Sequence, residues 1–295
     1  SVIDDSKPLP APLLPRPPLP LELSRWLVRR RLRGSSRLLR FLRQRGLFDA
    51  CVEYPLGNGV TCTLPLYREP DWDAHDLALY EHELVAWLAA FVRRAREPVT
   101  LIDCGADIGL VSLKVAAVAP VARVVAFEPN PVAYPFLAYN LARLGPGHVA
   151  TRAGVADRAG QGVLLRPDHD PDSPHAAFVR PVDRGDFPLT TVDALGLAPG
   201  GAIALKIDVE GGEAAVVDGA LGTLRGAAEF AVTYEAHPAV SRRTGTEPLS
   251  IAQTLATLAP VSVAVVEQPE LVVRLDRPLF EQLPPTRTWN VVVES

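Results

Sequence analysis

The 295-residue sequence contains no methionine, only three cysteines and, at 6% aromatic residues, little material for stacking surfaces. Lysine is nearly absent as well: it occurs only at positions 7, 114 and 206, so arginine supplies almost all the positive charge. Cys51, Cys62 and Cys104 lack the paired spacing of a zinc site and are too few for a disulfide framework. No apolar run approaches the roughly 20 residues that a membrane-spanning helix needs. The first twenty residues are rich in proline and do not carry the apolar stretch of a secretory signal. With free cysteines, that gives a cytoplasmic expectation. Nothing in the sequence explains the missing methionine.

What the chain does have is a 48% hydrophobic content, enough for the core of one large α/β domain, and an uneven charge. Residues 1–45 hold 11 Lys+Arg against 3 Asp+Glu, while the rest holds 19 against 31. A basic arm therefore precedes an acidic body. Seven prolines between Pro8 and Pro20 predict an extended arm and argue against helix over residues 1–20. Residues 21–48 interleave arginines with Leu27, Leu32, Leu38, Leu39, Phe41, Leu42 and Leu47, which predicts two short amphipathic helices broken at Gly34-Ser35-Ser36. Three roles are open for this arm: packing on the body, contact with a membrane or other anionic surface, and nucleic-acid binding. The acidic body and the lack of interleaved aromatics disfavour the last.

Further along, Cys51–Leu56 and Val60–Leu66 flank Gly57-Asn58-Gly59, a hairpin signature. Closing that turn sets Cys62 opposite Tyr54 or Pro55, so Cys51 and Cys62 do not face each other. A long amphipathic helix is expected from Trp72 to about Ala95. Strands near 99–104, 123–128, 148–153, 202–208, 229–235, 261–266 and 288–294 then alternate with helices near 108–118, 131–143, 212–224 and 249–258. Asn130-Pro131 suits the cap and first turn of the second of these helices. The pattern predicts a Rossmann-like, doubly wound, mostly parallel α/β sheet over 98–295. A hairpin-and-helix extension over 49–97 and the arm over 1–48 precede it. The Pro-, Asp- and His-rich stretch from about Arg166 to Arg184 is expected to be a long loop. Sheets of this kind bind ligands at the carboxyl ends of strands, and Asp103, Glu128, Asp157 and Asp208 all fall there.

The run Leu101-Ile102-Asp103-Cys104-Gly105-Ala106-Asp107-Ile108-Gly109 reads as a buried strand, a glycine turn and a helix start. Gly105 and Gly109 let the chain turn sharply and let a ligand approach the backbone. Glu128 ends the next strand (Val125-Ala126-Phe127-Glu128), roughly 20 residues on, placed to accept ribose hydroxyls. The third glycine of the dinucleotide fingerprint is missing, and Asp107 stands where a pyrophosphate would approach. A carboxylate repels phosphate and suits a cation. That moves the expected cofactor from NAD to S-adenosylmethionine, a sulfonium with no phosphate. An NAD-dependent oxidoreductase or epimerase on the same type of sheet is the alternative.

A second cluster, Lys206-Ile207-Asp208-Val209-Glu210-Gly211-Gly212-Glu213, brings four charged side chains to another strand end. Strand alternation puts Lys206 and Asp208 on one face. Glu213 opens the following helix, where the dipole favours an acid. The lysine either serves chemistry or simply neutralises its neighbours.

Together these runs resemble the FkbM-type family of S-adenosylmethionine-dependent methyltransferases. The family pattern is an Asp-x-Gly-Ala-Asn-x-Gly turn, a strand ending in Phe-Glu-Pro-Asn, and a Lys-Ile-Asp-x-Glu-Gly-x-Glu strand end. This chain carries Asp103 to Gly109, with Asp107 in place of the asparagine, then Phe127-Glu128-Pro129-Asn130 and Lys206 to Glu213. Tyr80-Glu81, Asn140, Gly154-Val155-Ala156-Asp157, Thr190-Thr191-Val192-Asp193 and Tyr234-Glu235-Ala236-His237-Pro238 are weaker matches. The resemblance implies a class I methyltransferase fold and methyl transfer to a hydroxyl of a sugar, glycan or natural product, with S-adenosylhomocysteine as product. It implies Asp103, Gly105, Asp107 and Gly109 around the methionine part, Glu128 on the ribose, Asp157 at the adenine amine, and Glu81 and Asn130 beside the cofactor. The expected acceptor is a small molecule or glycan, anionic if the basic arm helps to hold it; nucleic acid is not expected.

A hydroxyl acceptor must lose its proton, so a base is needed. Asp208 is the first candidate and His237, at the next strand tip, the second. Lys206 would tune Asp208 or bind the acceptor. In a metal-assisted variant, Asp208, Glu210, Glu235 and His237 would hold a divalent ion that grips two acceptor hydroxyls. His169 and His175, among Asp168, Asp170 and Asp172, match no defined metal spacing and read as a solvated loop.

Overall fold

The computed structural model describes residues 9, 11–30, 34–46, 48–66, 74–165 and 178–295. Leu32, Leu47, Trp72 and the acidic stretch with His169 and His175 lie outside the described residues. The arm forms a short strand β1 (Leu13–Leu14) and helices α1 (Leu19–Arg29) and α2 (Ser35–Gln44). Helix therefore starts two residues earlier than the prolines suggested. Pro20 occupies the first turn, where a missing N–H leaves no bond unmade. Leu21 is buried in the main core, and Arg25 Nη1 donates to the Tyr54 hydroxyl at 3.1 Å. Leu19, Leu23, Trp26, Leu38 and Phe41 stay exposed, so the arm packs on the body through only one side.

The hairpin β2 (Cys51–Gly57) and β3 (Val60–Pro65) pairs Tyr54 with Cys62, as the turn geometry required. All three cysteines are free and buried. Burial pushes Cys51 up to about 11 and, with help from Asp107, Cys62 up to about 12, so both stay protonated and unreactive. The single helix expected up to Ala95 is two, α3 (Ala74–Leu79) and α4 (His82–Arg94). The break is at Tyr80-Glu81, where Glu81 adopts a left-handed φ of 48°. Lys114 Nζ ends α3 by donating to the carbonyls of Leu77, Ala78 and Tyr80, a favourable place for a cation.

The body continues as β4 (Val99–Cys104), α5 (Leu110–Val118), β5 (Arg123–Phe127), α6 (Tyr134–Ala142) and β6 (Val149–Thr151). Asn130-Pro131 does not open α6. It makes a preceding turn in which Asn130 Oδ1 accepts from Val132 N–H at 2.9 Å. Next come β7 (Gly154–Val155), β8 (Gly160–Leu165), β9 (Phe178–Val182) and β10 (Phe187–Thr190). These form a separate sheet in the order β7-β10-β8-β9, so part of the stretch expected to be loop is strand. The chain then runs β11 (Ala202–Ile207), α7 (Glu213–Asp218), α8 (Leu221–Gly226), β12 (Glu229–Ala236), α9 (Pro238–Thr244), α10 (Leu249–Ala256), β13 (Ser262–Val265), α11 (Leu279–Gln282) and β14 (Trp289–Glu294). The helix expected over 212–224 is split into α7 and α8 at Gly219. A Cβ there would lie 2.2 Å from the Ala156 carbonyl oxygen.

The central sheet has seven strands in the order β13-β14-β12-β11-β4-β5-β6, with β14 antiparallel to both neighbours and the other pairings parallel. Every residue of β11 is buried, as expected of a parallel strand covered on both faces. Leu101, Ala204, Ala231 and Val292 share one core with α4 and α5; Ile102, Leu205, Val232 and Val291 share the other with α7 and α10. Strand order reverses between β4 and β11, which opens a crevice above their carboxyl ends. Among the described residues, no helix is long and apolar enough to cross a membrane.

Candidate active site

The loop leaving β4 is shaped by close backbone contact. Gly105 has a φ of +79°, and a Cβ there would fall 1.8 Å from the Asp208 carbonyl oxygen, so only glycine fits between the two strand ends. The N–H groups of Gly105 and Ala106 both donate to the Phe127 carbonyl at 3.0 Å, pinning the loop to β5. Asp107, left-handed at φ 50°, donates its N–H to Glu128 Oε2 at 2.8 Å. Asn130 N–H donates to Glu128 Oε1, also at 2.8 Å. Two backbone donors thus fix the Glu128 carboxylate at the tip of β5.

Beneath this loop lies an ion pair. Asp103 is 0% exposed; its Oδ2 accepts from Ser112 Oγ at 2.6 Å and its Oδ1 from Lys206 Nζ at 3.0 Å. Lys206 also donates to the Gly105 carbonyl at 3.3 Å and to Asp208 Oδ2 at 3.4 Å. Burial alone would lower the pKa of this ammonium, but Asp103 and Asp208 together outweigh burial and hold it above its ordinary value. The register Lys206↔Asp103 and Lys206↔Thr233 sets these three residues in a row across β4, β11 and β12.

Two cavities flank Gly105. The outer one runs from Glu128, Pro129 and Asn130 past Val155 and Val179 to Asp208 and Glu210. The inner one lies between the sheet and the start of α4 and is walled by Glu81, Leu84, Val111, Lys206, Thr233 and Asn290. Tyr80, Gly105, Asp107, Asp208 and Glu235 belong to both walls. Glu81 Oε2 accepts from Asn290 Nδ2 at 3.2 Å. The negative charge of Asp208, followed by burial, pushes Glu235 up to about 9. Burial first, then Asp208, also raises Glu81.

The structure gathers Glu81, Gly105, Asp107, Glu128, Asn130, Lys206 and Asp208 around these cavities. It does not bring four other sequence candidates there. Asp103 is sealed beneath the loop and serves as partner to Lys206 and Ser112, not as a direct ligand group. Gly109, at φ +86°, shapes the start of α5 and lets Leu137 approach to 2.9 Å of where its Cβ would be. Asp157 sits in an exposed turn, 3.8 Å from Arg158, because β7 leads its chain into the second sheet. His237 caps α9: its Nδ1 accepts the Ala239 N–H at 3.0 Å, which occupies the lone pair a base would use. Burial, then Arg243 and Arg242, hold its pKa down. Among the described residues, no three His, Cys, Asp or Glu side chains are grouped to hold a metal ion. Of the set Asp208, Glu210, Glu235 and His237, the first three line the outer cavity and His237 lies outside both walls. Asn140 also turns out to be architectural: it is fully buried and ties Thr63 to the Ile108 carbonyl.

Thr233 and Asn290 were missed by sequence reasoning, and Glu235 entered only as a metal candidate. The signal was faint. Thr233 and Glu235 repeat on β12 the alternation of Lys206 and Asp208 on β11.

A profile of the methyltransferase FkbM domain matches residues 103–258, more than half of the chain. The chain belongs to the FkbM methyltransferase family. Its central sheet is the mostly parallel α/β sheet that the alternation of strands and helices implied. No curated protein matches the chain. Among solved structures, it is similar to the FkbM methyltransferase of Methylobacillus flagellatus KT at 16% identity and a TM-score of 0.41, over 66% of this chain and 43% of that one. The chain thus spans less than half the length of that relative. It is also similar to a precorrin-6y C5,15-methyltransferase of Geobacter metallireducens (15% identity, 82% and 98% of the two chains, TM-score 0.40). The TYW2 protein of M. jannaschii, solved in complex with AdoMet, is a third (13%, 83% and 84%, 0.39). Likenesses this distant say nothing of the acceptor.

Proposed function

We propose that this family member transfers a methyl group from S-adenosylmethionine to a hydroxyl oxygen of a sugar, glycan or natural product. The observation that carries the reading is the pair of carboxylates facing one crevice on either side of Gly105. Glu128 is aimed by two backbone N–H groups, and Asp208 stands where strand order reverses.

The donor chemistry fits the cofactor. Glu128 can accept hydroxyls of a ribose, Pro129, Val155 and Val179 offer apolar surface for a base, and Asp107 and Asp208 suit positive charge. When bound, S-adenosylmethionine supplies a methyl on a cationic sulfur. The chain's own part is alignment and proton transfer. The rigid strand ends fix donor and acceptor in line, which can supply several kcal/mol of the barrier. Asp208, its side chain 30% exposed to the cavity, takes the hydroxyl proton as the new bond forms. Lys206 holds Asp208 in place through Oδ2, leaving Oδ1 for the acceptor.

The test is a melting-point comparison followed by a product search. S-adenosylhomocysteine should raise the melting point and NAD should not, because only a ligand of the folded state stabilises it. Incubation with labelled S-adenosylmethionine and a pool of sugars and glycans should then put label into an ether-linked methyl. Stabilisation by NAD alone, or label found only on nitrogen or carbon, would sink the reading.

A further inference from the structure

The sign of the cavity walls bears on what the acceptor is. Among the described residues, Glu81, Asp107, Glu128, Asp208, Glu210 and Glu235 face the two cavities, against the one ammonium of Lys206. That ammonium is already held by Asp103, Asp208 and the Gly105 carbonyl. S-adenosylmethionine brings one net positive charge, and Glu81 and Glu235, on the inner wall, make no ion pair among the described residues. A second observation points to a missing ligand. Thr233 is 1% exposed, lines the inner cavity, and its Oγ1 has no hydrogen-bond partner among the described residues. Buried hydroxyls are rarely left unpaired, because the desolvation cost then goes uncompensated.

We propose that the acceptor is a hydroxyl compound bearing a protonated amine, of the amino-sugar or aminocyclitol class, whose ammonium is held between Glu235 and Glu81 and completes the Thr233 hydroxyl. The proposal rests on the reading of the site as a hydroxyl methyltransferase and narrows its substrate. The placement follows from register. Asn290 pairs with Glu235 across β14 and β12, and its amide nitrogen donates to Glu81 Oε2 at 3.2 Å and to Glu267 Oε1 at 2.9 Å, so Glu235 and Glu81 lie on either side of one asparagine. Thr233 precedes Glu235 by two residues on the same face of β12. Asp208 lies one step beyond the paired residues Ile207 and Tyr234, next to Glu235, where it would meet a hydroxyl of the same ligand. The basic arm led to an expected anionic acceptor; the charge of the walls favours the opposite sign.

The groups that bear on Glu235 are Asp208, Glu210 and Lys206 from the end of β11 and Glu81 from the start of α4. Crowding by three acids keeps it protonated at neutral pH, so an arriving ammonium should displace its proton. The cofactor's own ammonium is a second source of the same chemistry, and the experiment separates the two.

The protein saturated with S-adenosylhomocysteine is titrated with kanamycin A, with its fully N-acetylated form, and with glucose 6-phosphate. Calorimetry at pH 7.5 uses two buffers of different ionisation enthalpy. Kanamycin A should bind at least tenfold more tightly than the acetylated form, with net proton release, and the phosphate should not bind. Glu235→Gln should remove that preference while changing S-adenosylhomocysteine affinity less than twofold. Equal binding of free and acetylated amines, tighter binding of the phosphate, or no kanamycin binding would overturn the proposal. So would a tenfold loss of S-adenosylhomocysteine affinity in Glu235→Gln, which would assign the carboxylate to the cofactor. If S-adenosylhomocysteine fails to bind but the amine preference persists, the ammonium site stands and the methyltransferase reading falls. The wild-type comparison of the two kanamycin forms needs no variant, so it holds even if Glu235→Gln does not fold.

Discussion

Replacing Lys206 by methionine decides whether this residue serves the fold or the chemistry. The substitution keeps length and apolar contact but deletes the ammonium. Asp103 would then sit at 0% exposure with only the Ser112 hydroxyl as partner. Removing one member of a buried ion pair costs about 3–5 kcal/mol, because the remaining charge is stranded. The bond to Asp208 adds little, since that side chain is 30% exposed and water can replace the lysine. For a domain of this size each kcal/mol lowers the melting point by roughly 2–4 °C, so a fall of roughly 6–20 °C is expected. Adding Asp103→Asn to Lys206→Met neutralises the orphan and should recover more than half of the loss. Thermal and urea denaturation of the parent and the two variants measure this. A single variant that melts within about 2 °C of the parent, or a double variant less stable than the single, would refute the account of a stability-bearing pair.

Further outcomes follow from the same geometry. Glu128→Ala removes a carboxylate placed for two charge-assisted bonds to ribose, each worth about 1.5–3 kcal/mol, so S-adenosylhomocysteine should bind at least roughly tenfold more weakly by calorimetry; unchanged affinity would remove Glu128 from the cofactor site. Gly105→Ala combines a left-handed φ with a Cβ only 1.8 Å from the Asp208 carbonyl oxygen, a backbone clash no side-chain rotation relieves. It should abolish S-adenosylhomocysteine stabilisation in a melting assay, and a parent-like response would contradict the close approach. Asp208→Asn should cut methyl transfer by roughly 10²-fold or more with cofactor affinity nearly intact; unchanged turnover would rule it out as the base. Glu235 is raised from its ordinary 4.5 to about 9, so the folded protein holds a proton that the unfolded chain releases above about 4.5. That contribution is present at low pH and is lost as pH rises through about 9. Glu235→Gln should consequently gain melting temperature relative to the parent as pH climbs from 5 to 9, and a flat difference would show that Glu235 is not buried among charges.

The central sheet was legible because its strands are continuous apolar runs separated by glycine turns and amphipathic helices, a period that survives without knowledge of neighbours. The positions of Gly105, Asp107, Glu128 and Asp208 at strand ends followed from the same period. Local pattern also sufficed for the Tyr54–Cys62 pairing, since a tight turn dictates register. The second sheet was not legible. Its strands are short, two of them separated by residues 166–177, and Gly162 reads as loop until Phe187 is seen packed where a side chain would be. The break at Glu81 was hidden too, because the cation that ends α3 comes from Lys114 on another helix. Side-chain roles depended most on tertiary context. Asp103 and Asp208 look alike at strand ends, yet one is sealed under a loop and the other opens to a cavity. His237 is a plausible base in the chain and a helix cap in space. Sequence alone brings Gly105, Glu128 and Asp208 to the carboxyl edge of the sheet, because strand period is a local property, whereas Asp157 is carried off by a second sheet that the period does not reveal. Which of them meet a ligand, and with what net charge, is decided only when distant strands and the start of α4 close around the same space.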